Sequence, residues 1–391
     1  MVIQNQKSWM SMSLPKLLVI FVISLVLCLF GADRALNSQS MQQIDADHPK
    51  IQYIGRIDRT NAKAPVLSFP GSAFRFKFEG TTLGLKLADD TWGGNNYVGV
   101  YIDNNPQPTV IYLDSGSTVK DYLVSDQLAE ARHTALVVKR NDYITGGFSF
   151  HGISLAPQKN IFELHTLSNR KIEVYGDSIS AGGSVEYEQT GVPDPQGNND
   201  PLANGYLSFG SMLARDYQAQ VHLIAQGGMP LIDGYGFWNQ ATGMEAVYDK
   251  MAPLRDAPTW DFSKYQAKLV IVALGQNDAS SINESQLSSQ EWQNRYQQFI
   301  ANLRSKQPHA YIICMFPNMF HDTKWDGYLT AAVAQYQQAT GDNRVYTLIN
   351  QGITPGHPRE AEQRMMADAL SNLIETRINP DGLNWSKAAA D

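Results

Sequence analysis

From about residue 51 to residue 155 the hydrophobic positions repeat every second residue. Phe74, Phe76 and Phe78 alternate with Arg75 and Lys77, and after Glu79-Gly80 the residues Leu83, Leu85 and Leu87 alternate again. This period predicts half-buried antiparallel strands joined by a tight turn. Residues 97–102 read as a further strand, closed by Asp103-Asn104-Asn105-Pro106, and residues 133–140 and 148–155 complete the set. Several short strands at such spacing, without a long helical period, predict a β-sandwich or jelly roll over residues 50–160. After about residue 161 the pattern changes. Short apolar runs at 171–176, 221–225, 268–274, 311–315 and 344–349 alternate with helix-period segments at 205–217, 288–306, 328–340 and 359–378. Strands alternating with helices predict an α/β domain over residues 165–385, with a parallel sheet between two helical layers. In such sheets functional groups gather at the carboxyl ends of the strands.

The amino terminus reads differently. Lys7 and Lys16 precede an apolar run at 17–32, which is shorter than the roughly 20 residues of a spanning helix and is followed by a polar stretch at 33–49. Residues 1–32 are therefore expected to be a signal peptide or an amino-terminal anchor, and 33–49 a polar linker. Phe30 before Ala32 and Asp33 before Ala35 make poor cleavage sites, so both forms stay open. A lipoprotein reading of Cys28 is weakened by Leu27, and a buried core helix is the bland alternative. Export to the periplasm, cell surface or medium is the expectation, with membrane attachment only through this segment.

Composition narrows the function classes. With 43% hydrophobic and 18% charged residues the chain is neither wholly disordered nor a polytopic membrane protein. A net charge of −7 and the lack of any block of five basic residues leave no electrostatic footprint for nucleic acid. The only cysteines are Cys28 and Cys314, and no CxxC, HExxH or histidine cluster occurs, so no metal or organic cofactor is expected. Cys314, inside the apolar run 311–315, reads as a buried inert thiol.

Candidate chemistry sits at four strand ends. The first strand runs into Tyr175-Gly176-Asp177-Ser178-Ile179-Ser180-Ala181-Gly182, where a serine can stand beside backbone donors. This is not the GxSxG elbow, and a lone GDS is by default a turn and cap. The second strand ends in Gln226-Gly227-Gly228-Met229-Pro230, whose glycines let a backbone amide approach a ligand but are more often just a turn. The third ends in Leu274-Gly275-Gln276-Asn277-Asp278, where Asn277 offers a side-chain amide or a plain Asn-Asp turn. The last leads to Gly352-Ile353-Thr354-Pro355-Gly356-His357-Pro358, a histidine placed to ionise a serine, although a lone loop histidine is usually structural.

Taken in this order, GDSISAG, GQND and GHP resemble the SGNH (GDSL-like) hydrolase superfamily over about residues 172–373. The resemblance implies Ser178 as nucleophile, an oxyanion hole of Ser178, Gly227 and Asn277, with Gly228 the alternative to Gly227, and His357 as general base. Phe69-Pro70-Gly71-Ser72, Phe74-Arg75-Phe76, Glu79-Gly80-Thr81, Tyr101-Ile102-Asp103 and His133-Thr134 followed by Val138-Lys139-Arg140 resemble the leading domain of family 2 carbohydrate esterases. Those enzymes carry a jelly roll before an SGNH domain and deacetylate plant polysaccharides such as xylan and mannan.

Two departures stand out. Where the superfamily has Asp three residues before the histidine, this chain has Thr354, and where Thr is common it has Gln276. The resemblance to family members with a Ser-His dyad implies that a backbone carbonyl holds His357. The expected function is a serine esterase that removes acetyl groups from a polysaccharide or oligosaccharide through an acetyl-enzyme. The alternatives are a lipase or thioesterase acting on longer acyl esters, and a surface glycan-binding protein without catalysis, for which Trp92, Tyr97, Trp238 and Trp260 are stacking candidates unless they are core residues.

Overall fold

The computed structural model describes residues 40–388 except 91–93, 95, 115, 351 and 352. The segment 1–32 and Trp92 therefore lie outside the described residues. Three sheets organise the described residues. The first has the order β3 (Ile57–Asp58), β4 (Val66–Leu67), β11 (Phe148–Leu155), β6 (Leu83–Asp89), β9 (Lys120–Ser125), with β1 (Gln42–Asp45) also paired to β11. The second has the order β12 (Ile161–Phe162), β5 (Ala73–Glu79), β10 (Arg132–Lys139), β7 (Tyr97–Ile102), β8 (Thr109–Tyr112), with β2 (Gln52–Ile54) on β5. Both are antiparallel.

The period-two reading explains why they meet. Phe74, Phe76 and Phe78 of β5 and Leu83, Leu85 and Leu87 of β6 are all fully buried in one core. They point inward from opposite sheets, and the rings of Phe74 and Phe150 stack at 3.9 Å across the sandwich. Each buried Phe contributes about 1.5–3 kcal/mol over an exposed one. One expectation needs correction: Gln42–Asp45, inside the stretch read as polar linker, is the strand β1, registered against β11 from Gln42–Leu155 to Asp45–Gly152. Only Ile44 of its four side chains enters the core, so the strand is held mainly by main-chain pairing and a single apolar residue gives no periodic signature.

The third sheet is parallel, in the order β14 (Gln220–Ala225), β13 (Lys171–Gly176), β15 (Leu269–Ala273), β16 (Tyr311–Phe316), β17 (Val345–Ile349). Alternate residues of its strands face two cores. One is covered by the helices Ser289–Lys306 and Lys324–Thr340, the other by Phe209–Asp216 and Glu360–Leu373. The strand order reverses at β13, between β14 and β15, and a crevice opens at such a switch point, outside the carboxyl ends. Among the described residues no helix is long and apolar enough to cross a membrane.

The sandwich is bonded to the α/β domain through buried polar groups. Arg56, fully buried, donates to Glu173 Oε1 at 3.0 Å, to the Tyr175 hydroxyl at 2.6 Å and to the Tyr248 carbonyl at 2.5 Å. Arg140 pairs with Glu186, and the Asn141 amide donates to the Asp200 carbonyl at 2.7 Å. Removing one partner of a buried ion pair strands the other charge. Arg56→Ala is expected to lower stability by about 3–5 kcal/mol, read from urea unfolding of both proteins. A change under about 1 kcal/mol would mean that Glu173 finds compensation elsewhere.

Candidate active site

Asp177 shapes the turn that presents Ser178. Its carboxylate accepts the Ile179 N–H at 3.0 Å, its carbonyl accepts the Ala181 N–H at 3.0 Å, and the Ser178 carbonyl accepts the Gly183 N–H at 2.8 Å. Burial pushes the Asp177 carboxyl up to about 7, against the lowering effect of the Ile179 N–H. The serine is left half-buried at the switch-point crevice, with Oγ 2.7 Å from His357 Nε2. His357 arrives on the loop between β17 and the helix Glu360–Leu373.

Behind the histidine the structure corrects the dyad expectation. His357 Nδ1 lies 2.5 Å from Asp194 Oδ2, and the His357 N–H donates to Asp194 Oδ1 at 3.2 Å. The imidazole is held by a carboxylate, not by a backbone carbonyl. Asp194 comes from the loop after the serine, in Val192-Pro193-Asp194-Pro195, and not from the position before the histidine. Thr354 turns away: its hydroxyl donates to the Gly356 carbonyl at 2.6 Å. Arg359 fixes the loop. Its guanidinium donates to Asp194 Oδ1 at 2.7 Å, to the His357 carbonyl at 2.6 Å and to the carbonyls of Gln189 and Pro193. Partial burial raises the Asp194 carboxyl, but hydrogen bonds from His357 and Arg359 outweigh it and hold the carboxyl well below the usual carboxylate range. With a charged acceptor at Nδ1, the neutral imidazole carries its proton there and leaves Nε2 free to accept from Ser178.

Asp194 carried no periodic signal. The structure marks it through Arg359, the N-cap residue of the helix Glu360–Leu373, whose buried guanidinium at the positive end of the helix dipole needs an anion nearby.

The three expected oxyanion donors are close together but differently engaged. Among the described residues the Ser178 N–H has no hydrogen-bond acceptor. The Asn277 amide donates to Asp177 Oδ2 at 3.3 Å and to the Met229 carbonyl at 3.2 Å. The Gly227 N–H donates at 2.7 Å to Asp142 Oδ2, a carboxylate of the sandwich domain. The Gly228 N–H, like that of Ser178, has no acceptor among the described residues. Asp278, next to Asn277, is structural: it accepts the Leu231 and Ile232 N–H groups and the Trp292 indole, tying the second loop to the third.

The cleft has a volume of about 440 Å³ and takes residues from both domains. Asn141, Asp142 and Ile144 of the sandwich face Ser178, His357, Asp194 and Gln276. Gln276 also binds the Phe320 carbonyl, so the departure at this position forms part of the wall. Trp238 and Trp260 are core residues and Tyr97 packs on Tyr112 at 5.1 Å; the large apolar side chains exposed in the cleft are Phe237, 67% exposed, and Ile144. Cys314 is a buried free thiol, pushed up to about 12 by burial. Among the described residues no group of three His, Cys, Asp or Glu side chains is placed to hold a metal ion.

Comparison with known proteins agrees with this layout. Residues 53–164 match the family described as carbohydrate esterase 2 N-terminal, and residues 174–368 match the GDSL-like lipase/acylhydrolase family. The cellulase/esterase CelE of Acetivibrio thermocellus is 30% identical over 351 residues, which is 87% of this chain but 41% of CelE. The chain thus spans about two-fifths of that relative. An acetylxylan esterase / glucomannan deacetylase of Cellvibrio japonicus is 25% identical over 345 residues, 86% of this chain and 92% of the relative. A solved family two carbohydrate esterase from Clostridium thermocellum, in complex with cellohexaose, superimposes with a TM-score of 0.73 at 26% identity, covering 84% of this chain and 99% of that one. With both domains matched in order, the chain belongs to the family 2 carbohydrate esterases, within the SGNH (GDSL-like) hydrolases.

Proposed function

We propose that the protein is a serine esterase that removes O-acetyl groups from a polysaccharide or oligosaccharide. The observation that carries this reading is the unbroken line Ser178 Oγ–His357 Nε2, His357 Nδ1–Asp194 at a cleft open to both domains. His357 Nε2 takes the Ser178 proton as Oγ attacks the acetyl carbonyl. The Ser178 N–H and the amides of the second and third loops receive the oxyanion. The imidazolium, stabilised by the Asp194 charge, then gives its proton to the departing sugar oxygen. Water enters by the same path, with His357 again as base, and releases acetate from the acetyl-enzyme.

A carbohydrate substrate is supported by the family and by the relatives named above. It fits a wall that mixes the polar Asn141, Asn199 and Asp200 with Phe237, a face for a sugar ring. Export through residues 1–32 belongs to the same proposal, since a polymer substrate lies outside the cell. The test is acetate release from a panel of acetylated glycans, with chromogenic esters of acetyl to octanoyl length alongside. Acetyl esters are expected to be cleaved fastest. A rising kcat/KM toward octanoyl would replace this reading with a lipase-type one, and binding of glycan without hydrolysis of any ester would make the protein a glycan-binding one.

A further inference from the structure

Asp142 stands where neither domain alone would place a functional group. It follows the end of β10 at Lys139, after Arg140-Asn141, and reaches the loop after β14. One of its oxygens accepts the Gly227 N–H at 2.7 Å and the Gln226 amide at 3.2 Å; the other accepts the Ile144 N–H at 3.1 Å. The contact is reciprocal, since the Tyr143 N–H donates to the Gln226 side-chain carbonyl at 2.8 Å. Lys139 Nζ holds the Asp142 carbonyl from behind at 3.1 Å. Only glycine permits the approach: a Cβ on residue 227 would lie 2.7 Å from the Asp142 oxygen, and 3.7 Å from the Ser178 Cβ. The second distance places this loop directly beside the nucleophile.

The engaged N–H cannot serve an oxyanion at the same time. The next amide, Gly228, has no acceptor among the described residues, and both glycines line the cleft. Gly228 has φ +73°, so the chain reverses there and neighbouring amides point in different directions. We propose that Asp142 of the leading domain is a positioning residue for the oxyanion site: by holding the Gly227 amide it sets the loop so that Gly228, together with Ser178, supplies the backbone donors. This inference rests on the esterase reading and adds that the sandwich domain completes the catalytic geometry of the other domain. It also gives the Gly-Gly pair two tasks. Gly227 accepts the buttress, and Gly228 turns the donor toward the reacting carbonyl.

The test compares Asp142→Ala, Gly227→Ala and the double variant with the wild type. Three quantities are read: kcat and KM on an acetyl ester, the affinity for phenylboronic acid, and the melting temperature. Phenylboronic acid adds Ser178 Oγ to boron and forms a tetrahedral anion in the oxyanion position, so it reads this site without any glycan. A misplaced donor acts on the transition state and leaves ground-state binding alone. Asp142→Ala is expected to lower kcat about 10–100-fold with KM nearly unchanged, and to weaken boronate binding by a similar factor. Gly227→Ala should do the same by pushing the carboxylate away, and it keeps the test alive if Asp142→Ala does not fold. Because both substitutions break one contact, the double variant should be no worse than the poorer single one. Unchanged or raised kcat in Asp142→Ala, boronate affinity equal to wild type, or single effects that multiply would overturn the proposal. A wild type that takes up boronate but cleaves no acetyl ester would fail the substrate reading instead, and the boronate comparison would still decide Asp142.

Discussion

Ser178→Ala is expected to reduce acetyl ester turnover by about 10⁶, to the level left by binding and the oxyanion donors, as loss of the nucleophile does in triad hydrolases. The structure says why this variant is a clean test. Ser178 Oγ makes a hydrogen bond to His357, and the turn around it is held by main-chain and Asp177 contacts that an alanine keeps. The melting temperature should therefore change little, and glycan affinity should persist, because the wall residues are untouched. Loss of turnover with retained stability and retained glycan binding assigns the nucleophile. Wild-type-like acetate release from the folded variant would remove Ser178 from the mechanism and require a different nucleophile.

How much of this site was legible in the sequence depended on where each group sits. Ser178, Gly227, Asn277 and His357 all follow parallel strands, and a parallel strand buried on both faces writes itself as a continuous apolar run with a defined end. The run 269–273, for example, is entirely buried, and Asn277 comes just after it. The alternation of Phe74, Phe76 and Phe78 was equally readable because one face meets a core and the other does not. Thr109–Tyr112 was not readable: it lies at the edge of its sheet with only Ile111 buried, so backbone pairing does most to specify it and one apolar residue leaves no alternation. The two carboxylates of the site were hidden for another reason. Asp142 belongs to the sandwich, and reading the domains as separate patterns kept it apart from Gly227. Asp194 lies in an irregular loop whose conformation is set by Arg359 and two prolines, so neither period nor strand-end position marks it. Resemblance to dyad enzymes pointed away from it, because the expected place of the carboxylate holds Thr354.

The largest consequence of that correction is the behaviour of Asp194→Asn. An Asn amide facing His357 Nδ1 would donate rather than accept, so the imidazole proton would move to Nε2, the nitrogen that must take the Ser178 proton. The imidazolium formed during attack would also lose its counter-charge. A change of this kind costs about 10⁴ in turnover in a Ser-His-Asp enzyme, and that is the expected loss here. Thr354→Ala should be mild by comparison, because the Thr354 hydroxyl binds the Gly356 carbonyl and not the histidine. Stability gives a second readout, with a sign that can be worked out. The folded Asp194 carboxyl is held below its ordinary value, so in the acid range the unfolded chain binds more protons there than the folded one. Its contribution is fully present above the ordinary carboxylate range, about pH 4 and higher, and is lost as the pH falls through the depressed value. The stability difference between wild type and Asp194→Asn should thus shrink as the pH falls below about 5. Turnover and unfolding of folded Asp194→Asn and Thr354→Ala, measured side by side, decide the matter. If Asp194→Asn kept turnover within tenfold of wild type, the carboxylate would be a loop anchor for Arg359, and Ser178 and His357 would work as a pair after all. If Thr354→Ala were the more damaging, the loop carrying His357 would depend on the Gly356 turn more than on Asp194.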